Sequence, residues 1–247
     1  MLQEKLFIGR GVKSLFHHTR DAAASDSRLT LDQTLPGQAQ TVQLAVGQSD
    51  SSYKTFLVPG GIGVSTFGAA SIGGEPLAGF VESFINEVAE PEKLDVEGTA
   101  NAILNYFAAM NPVPAISFYV AGYKPGPTPE QQVWSVTLAS KAVTRANPSG
   151  IPGLVWGGET DILARLIQPL AELDQNGQIA KPAPHYPIPW NFFTLQDAID
   201  FATFALRATI DAIRFQPRAK TVGGPIDVLV ITPTTSKWIQ RKELHVS

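Results

Sequence analysis

The sequence predicts an α+β protein in which two stacked antiparallel sheets are covered by helices on both outer faces. Strand-like and helix-like segments follow the order strands, two helices, strands, two helices, strands, and the strict alternation of a doubly wound sheet is absent. The last helical segment is apolar nearly all round, which is typical of a helix buried between layers. No repeat or linker divides the 247 residues, so we assign a single domain.

Residues 1–50 carry the weakest pattern, and we treat them as a divergent part of this domain. The run LQEKLFIGRGVKSLF suits a short helix or an irregular strand pair, and residues 41–46 have the composition of a strand. The segment DAAASDSRLT leaves two interpretations of Asp26 open. One is an exposed turn, which this segment alone favours, and the other is the end of a buried strand that faces a cleft.

The periodicity becomes clear from Lys54 onward. KTFLV and IGVSTFG are short apolar strands separated by a Pro-Gly-Gly turn. The spacing then predicts two helices, of which the first has Pro76 near its first turn and the second follows Asp95, a predicted N-cap. AISFYVAGY and QVWSVTLAS are predicted to form a hairpin.

The second half of the chain repeats this order. GLVWGG predicts a strand, and a third helix follows it with an apolar face made of Ile162, Leu163, Leu166, Ile167 and Leu170. Residues 174–193 are predicted to form a long loop rich in proline and aromatic residues. Thr194 and Asp197 then have the spacing of a capping box that opens a long fourth helix. Two strands close the chain in a terminal hairpin.

Composition argues against several functional classes. The chain has 19 Lys and Arg against 22 Asp and Glu, so no basic excess favours nucleic acid or an anionic membrane surface. It has no cysteine and four scattered histidines, and we expect no metal and no other cofactor. No apolar run has the length of a bilayer span, and the amino terminus is too polar for a secretory signal, so we expect a soluble, cytoplasmic protein.

The stretch GVSTFGAASIGGEP places glycines between a strand and a helix, where phosphate-binding loops lie. Gly68 and Gly73 have the P-loop spacing, but Gly74 and Glu75 stand where lysine and a hydroxyl residue are needed. Since a carboxylate repels phosphate, we expect instead that small residues let the helix leave the sheet at close range.

Three further segments are weighed as sites. In WGGETDIL, a structural role in which Glu159 and Asp161 complement the helix dipole is favoured over the glycine-lined rim of a substrate cleft. Arg218 and Lys220 are predicted to satisfy the carboxyl end of the fourth helix. His185 suits a pocket wall, but such an aromatic segment more commonly packs on the protein's own flank or on a neighbouring subunit.

Several of these stretches resemble one family. KTFLVPGGIGVSTFG is similar to the third and fourth strands of proteasome β-type subunits and their bacterial ring-forming relatives, and the helix pair after it fits as well. AGYKPG with VWSVTLAS resembles their central hairpin, and GLVWGGETDILARL resembles their glycine turn and third helix. The most specific stretch, DAIDFATFALRATIDAI with TVGGPIDVLVITP, resembles their long helix and closing strands. The resemblance covers residues 54–243 and implies the Ntn-hydrolase fold, a four-layer αββα sandwich, and rings of many copies.

The resemblance also implies site residues. In the family an N-terminal threonine, or a serine or cysteine in relatives, is the nucleophile, and its free amine is the base. An aspartate after the second strand and a lysine opening the third tune the site by their charges. Asp26 in SDSR and Lys54 in YKTFLV match these two positions.

The amino-terminal part departs from the family pattern. Met1 and Leu2 offer no nucleophile, and counting back from Asp26 by the family's usual spacing reaches Arg10, which carries no hydroxyl. Thr41 resembles a mature N-terminus, but a cut there would discard Asp26.

A second departure lies near the carboxyl end. Ahead of the final glycine pair, active members usually have an aspartate and a serine, whereas this chain has Ala219 and Val222, with Thr221 adjacent. We therefore expect a proteasome-β-like subunit that assembles with copies of itself into a ring or shell without peptidase activity. The alternative is an active threonine- or serine-type peptidase or amidase, processed at Thr41 or using a residue such as Ser14. An ATPase unfoldase is a candidate partner.

Overall fold

The computed structural model describes residues 5–9, 21–34, 43–88, 94–148 and 152–244. Within them the chain forms an α+β fold of antiparallel sheets and four helices. The helices are α1 (Leu77–Glu87), α2 (Val96–Ala108), α3 (Asp161–Ile167) and α4 (Leu195–Arg214). The strands are β1 (Lys5–Gly9), β2 (Asp21–Ser25), β3 (Leu29–Thr34), β4 (Gln43–Ser49), β5 (Thr55–Val58), β6 (Ile62–Gly68), β7 (Ser71–Ile72), β8 (Glu75–Pro76), β9 (Ile116–Lys124), β10 (Glu130–Thr137), β11 (Ala142–Arg145), β12 (Gly153–Gly157), β13 (Ala171–Leu173), β14 (Ile179–Pro182), β15 (Asp227–Ile231) and β16 (Ser236–Gln240).

Two five-stranded antiparallel sheets dominate the fold. The first sheet has the order β12-β1-β2-β15-β16, and the second has the order β11-β10-β9-β6-β5. Three two-stranded hairpins, β3-β4, β7-β8 and β13-β14, accompany them. The predicted hairpins β9-β10 and β15-β16 are confirmed, and the amino-terminal fifty residues contribute β1 and β2, two adjacent strands of the first sheet.

The central strand β2 shows how the layers meet. Its alternate residues Ala22 and Ala24 pack with α3 and α4, whereas Ala23 packs against residues of the second sheet such as Ala121 and Val133. Because alanine side chains are small, both neighbouring layers approach this strand closely. Helices α1 and α2 pack on the other side of the second sheet, where Phe84, Phe107 and Phe118 form an aromatic core.

Local signals predict the helix starts correctly. The carboxylate of Asp95 accepts a hydrogen bond from the Gly98 backbone N–H at 2.7 Å, so it is the N-cap of α2. Thr194 and Asp197 form the predicted capping box at the start of α4. Pro76 is the N-cap residue of α1.

The predictions for the second helix pair need correction. α4 is buried on one face only, and Phe204 on its other face is 50% exposed. α3 ends at Ile167, so Leu170 lies beyond the helix. Leu166 inside α3 and Leu170 after it are both exposed, and they do not complete the predicted apolar face. The predicted loop of residues 174–193 contains β14, which pairs with β13, and all seven residues of this hairpin are exposed.

The glycine-rich stretch after β6 forms the small hairpin β7-β8 before α1 begins. Gly68 has a φ of +104°, and a Cβ there would lie 2.5 Å from the backbone oxygen of Ala115. Gly68 therefore allows a close approach to the backbone at the start of β9, whereas the expected close departure of the helix from the sheet is replaced by the β7-β8 hairpin. Gly73 and Gly74 also have positive φ and form the hairpin turn.

Candidate functional site

Asp26 lies directly after β2 and is completely buried. Its carboxylate accepts two hydrogen bonds from the Lys54 ammonium, at 2.8 and 2.9 Å. It also accepts backbone N–H hydrogen bonds from Arg28 at 3.0 Å and from Gly223 at 3.2 Å. Of the two interpretations of Asp26, the buried strand end is therefore correct and the exposed turn is wrong.

Lys54 immediately precedes β5, and its side chain is 2% exposed. Burial lowers the pKa of this ammonium below its ordinary value, although the charge and hydrogen bonds of Asp26 act in the opposite direction. The fold thus brings together two residues that are 28 positions apart in the sequence.

A second ion pair lies over the glycine pair at 223–224. The Arg28 guanidinium donates to both carboxylate oxygens of Asp50 at 2.7 Å. A Cβ at Gly223 would lie 2.4 Å from the Arg28 Cζ, and one at Gly224 would lie 2.8 Å from the Asp50 Cβ. The two glycines therefore leave the space that the Arg28–Asp50 pair occupies, a constraint that sequence reasoning missed.

The predicted helix-dipole role of Glu159 is incomplete. Its buried carboxylate accepts hydrogen bonds from the Thr221 hydroxyl at 2.6 Å and from Arg218 at 3.0 Å. Arg218 also donates to Asp161 at 3.2 Å, so its side chain binds the start of α3. The prediction that Arg218 satisfies the carboxyl end of α4 is therefore wrong. Lys220 does satisfy that end, because its ammonium donates to the backbone oxygen of Ile213 at 2.8 Å.

The two residues at the family's aspartate and serine positions contribute no polar group here. Ala219 has a methyl side chain, and Val222 is buried in an apolar cluster with Ile162 and Ile213. Thr221 lies between them in the chain and bonds Glu159. This network holds the loop before the glycine pair against the start of α3.

A second buried ion pair, absent from the sequence predictions, joins Asp227 and Lys242. Asp227 opens β15, and its carboxylate accepts hydrogen bonds from both the ammonium and the backbone N–H of Lys242. Asp227 is 0% and Lys242 is 8% exposed. Burial lowers the pKa of Lys242, while the hydrogen bond to Asp227 acts against this. An aspartate inside the apolar run PIDVLVI was the available signal.

Among the described residues the first strand is β1, which ends at Gly9, directly before the position that the family spacing indicates. Lys5 at its beginning pairs with Ser25, the residue before Asp26. None of residues 1–9, MLQEKLFIG, carries a hydroxyl or a thiol. Arg10, Ser14 and Thr41 lie outside the described residues.

Hydroxyl groups near the Asp26–Lys54 pair are engaged inside the protein. Thr55 donates to Ser25 at 2.9 Å and shares a 2.7 Å hydrogen bond with Ser65, and all three residues are buried. The Ser27 hydroxyl donates to the backbone oxygen of Pro225 at 2.6 Å. These four hydroxyls therefore stabilise the sheets, and none is placed to attack a substrate from solvent.

The remaining candidates are resolved more simply. His185 is exposed. Gly157, in the WGGE segment, packs against Phe67, because a Cβ there would lie 2.7 Å from that ring. The described residues contain no cluster of three or more His, Asp or Glu residues that could hold a metal ion. None of the helices in the described ranges is both long and apolar enough to cross a bilayer.

No protein-family model matches the chain, and no curated protein matches it.

Proposed function

We propose that this chain is a proteasome-β-like subunit that assembles with copies of itself and has no peptidase activity based on an N-terminal nucleophile. The proposed fold is the four-layer αββα sandwich of the Ntn hydrolases. Support comes from the two antiparallel sheets, the buried cluster that joins Ala23 and Leu229 to Ala121 and Val133, and the helix pair packed on each sheet.

The observation that carries the proposal is the identity of the residues in and before β1. In an N-terminal-nucleophile hydrolase, the first strand begins at the nucleophile, and the buried aspartate–lysine pair lies beside it. Here β1 adjoins the end of β2 that carries Asp26, yet residues 1–9 contain no serine, threonine or cysteine. The charged pair is present, and the nucleophile that it would tune in the proposed site is missing from this strand.

Processing at Thr41 would not repair the site. A cut there would remove β1 and β2, two of the five strands of the first sheet, including the central one. It would also remove Asp26, the carboxylate that the buried Lys54 ammonium binds.

Self-assembly is supported by exposed apolar side chains in residues 166–192, from the last turn of α3 to the segment before α4. Six large apolar or aromatic side chains there are 51–87% exposed, and we call them the apolar surface: Leu166, Leu170, Leu173, Ile179, Tyr186 and Phe192. Monomeric proteins rarely expose such a concentration of apolar residues. A short two-stranded hairpin such as β13-β14 is also marginally stable in water on its own, so contact with a second copy would stabilise it.

Size-exclusion chromatography with light scattering and native mass spectrometry test the assembly. We expect a species of several copies, and we expect Leu173→Ser with Ile179→Ser to shift it toward the monomer. Val113→Ser is the matched control, because Val113 is an exposed apolar residue in the loop before β9, outside the apolar surface. A monomer in the unmodified protein at micromolar concentration contradicts the assembly proposal.

The alternative, an active threonine- or serine-type hydrolase, is favoured by one observation. The Asp26–Lys54 pair is fully buried, and buried ion pairs rarely gain net stability over apolar residues of similar volume, so its presence suits a functional role. Intact mass and labelling with a hydroxyl-reactive peptide electrophile decide between the two. We expect the full-chain mass and no adduct. A processed chain with a covalent adduct would establish the hydrolase.

A further inference from the structure

The two buried ion pairs are adjacent in the fold. Asp227 pairs across the sheet with Ser25, the residue before Asp26. Lys242 lies over the ring of Tyr53, the residue before Lys54, with its Nζ 4.3 Å from the ring centroid. Asp227 and Lys242 therefore lie next to the residues that precede Asp26 and Lys54 in the chain.

The segment after β16 is fastened at three points. Lys242 binds Asp227 through both its ammonium and its backbone N–H. The Arg241 guanidinium lies 4.9 Å from the ring centroids of both Tyr53 and Trp238. Residues 241–242 thus fold back over Tyr53, and this arrangement restricts how the chain can enter β5 at Lys54.

We propose that Lys242 is the second cation of the Asp26–Lys54 site: Asp227 and the ring of Tyr53 hold its ammonium beside the pair, where its positive charge acts on the Lys54 ammonium. Because Lys54 and Lys242 are both cations in a poorly solvated region, their repulsion favours the arrangement in which each stays on its own carboxylate.

The electrostatic influence has a definite sign. The positive charge of Lys242 lowers the pKa of Lys54, and the negative charge of Asp26 raises the pKa of Lys242. Removing the Lys242 charge should therefore raise the proton affinity of Lys54. If a substitution at Lys242 only loosened the carboxy-terminal segment, it would change the pKa of Lys54 by the same amount whether the new side chain is charged or neutral.

The test measures Lys54 directly. The pKa of Lys54 is obtained by NMR titration of the lysine side-chain nitrogens in the full chain. We expect Lys242→Met to raise the pKa of Lys54 and Lys242→Arg, which keeps the charge and the partner, to leave it near the unmodified value. Lys237→Met is the matched control, since Lys237 is an exposed lysine on β16, and it should change nothing.

A second variant protects the test against misfolding. Lys242→Met leaves Asp227 buried without its partner, so the double variant Asp227→Asn with Lys242→Met is titrated as well. We expect a smaller rise in the pKa of Lys54 than in Lys242→Met, because Asp227→Asn also removes a nearby negative charge. An unchanged Lys54 pKa in both variants overturns the proposal, as does an equal rise in Lys242→Arg. The result is independent of assembly and hydrolysis, so failure of the proposed function would leave it intact.

Discussion

Replacing Lys54 with methionine tests whether the central ion pair has the energetics that its burial implies. Lys54 is 2% exposed and its partner Asp26 is 0% exposed, so the substitution leaves a carboxylate charged in a poorly solvated site. Removing one member of such a pair costs about 3–5 kcal/mol. Two backbone N–H groups, those of Arg28 and Gly223, still donate to Asp26, so we expect the lower part of that range.

The measurement is urea unfolding at neutral pH, followed by circular dichroism, with Lys237→Met as the exposed-lysine control. Asp26→Asn with Lys54→Met removes both charges and keeps an oxygen acceptor for the two backbone donors. We expect this double variant to be more stable than Lys54→Met alone by about 2 kcal/mol.

If Lys54→Met costs less than about 1 kcal/mol, or if the double variant costs the sum of its single changes, the reasoning about this pair is wrong.

Three further predictions use the same unfolding assay. Gly68→Ala should lower the free energy of unfolding by about 1–3 kcal/mol, because Gly68 has a φ of +104° and an added Cβ would lie 2.5 Å from a backbone oxygen. Gly79→Ala, in α1 where an added Cβ meets open space, should raise it by about 0.5–1 kcal/mol. Equal effects of the two substitutions would contradict the stated strain. Thr194→Ala should cost about 0.5–2 kcal/mol through loss of the α4 capping box, and no loss would mean that the cap is dispensable. Hydrogen bonds from Arg28 hold the pKa of Asp50 below its ordinary value, so this pair stabilises the fold fully above the unfolded carboxyl pKa and is lost as the pH falls through the lowered one. Asp50→Asn should therefore lose about 0.2–1 kcal/mol at neutral pH and less in acid, and a loss that grows in acid would refute the assignment.

Local patterns predicted the elements whose signals lie within a few residues. Asp95 caps α2 because its side chain bonds Gly98, three residues away, and the Thr194–Asp197 box spans the same distance. Hairpin connections and the glycine turn after β6 are local in the same sense. The backbone geometry of these features is determined by residues within the same short segment.

Predictions failed where the answer depended on what a segment packs against. The apolar composition of α4 indicated burial all round, but only one of its faces meets the alanines of β2, and Phe204 stays exposed. For the same reason, the sequence predicted neither the exposed hairpin β13-β14 nor the end of α3 at Ile167. Hydropathy indicates how apolar a helix is and does not identify the neighbouring layer.

By itself, the sequence determined the alternation of strands and helix pairs and most helix starts, whereas Asp26 and Lys54 became candidates only through the family resemblance. Only the tertiary structure decided that these charges meet inside the protein, that Asp227 and Lys242 form a second pair beside them, and that Arg218 binds Glu159 across 59 residues. The physical reason is that a buried charge needs a partner, and the chain can supply that partner from any distance in sequence. No local pattern encodes such a pairing, because its position is set by how the strands and loops pack together.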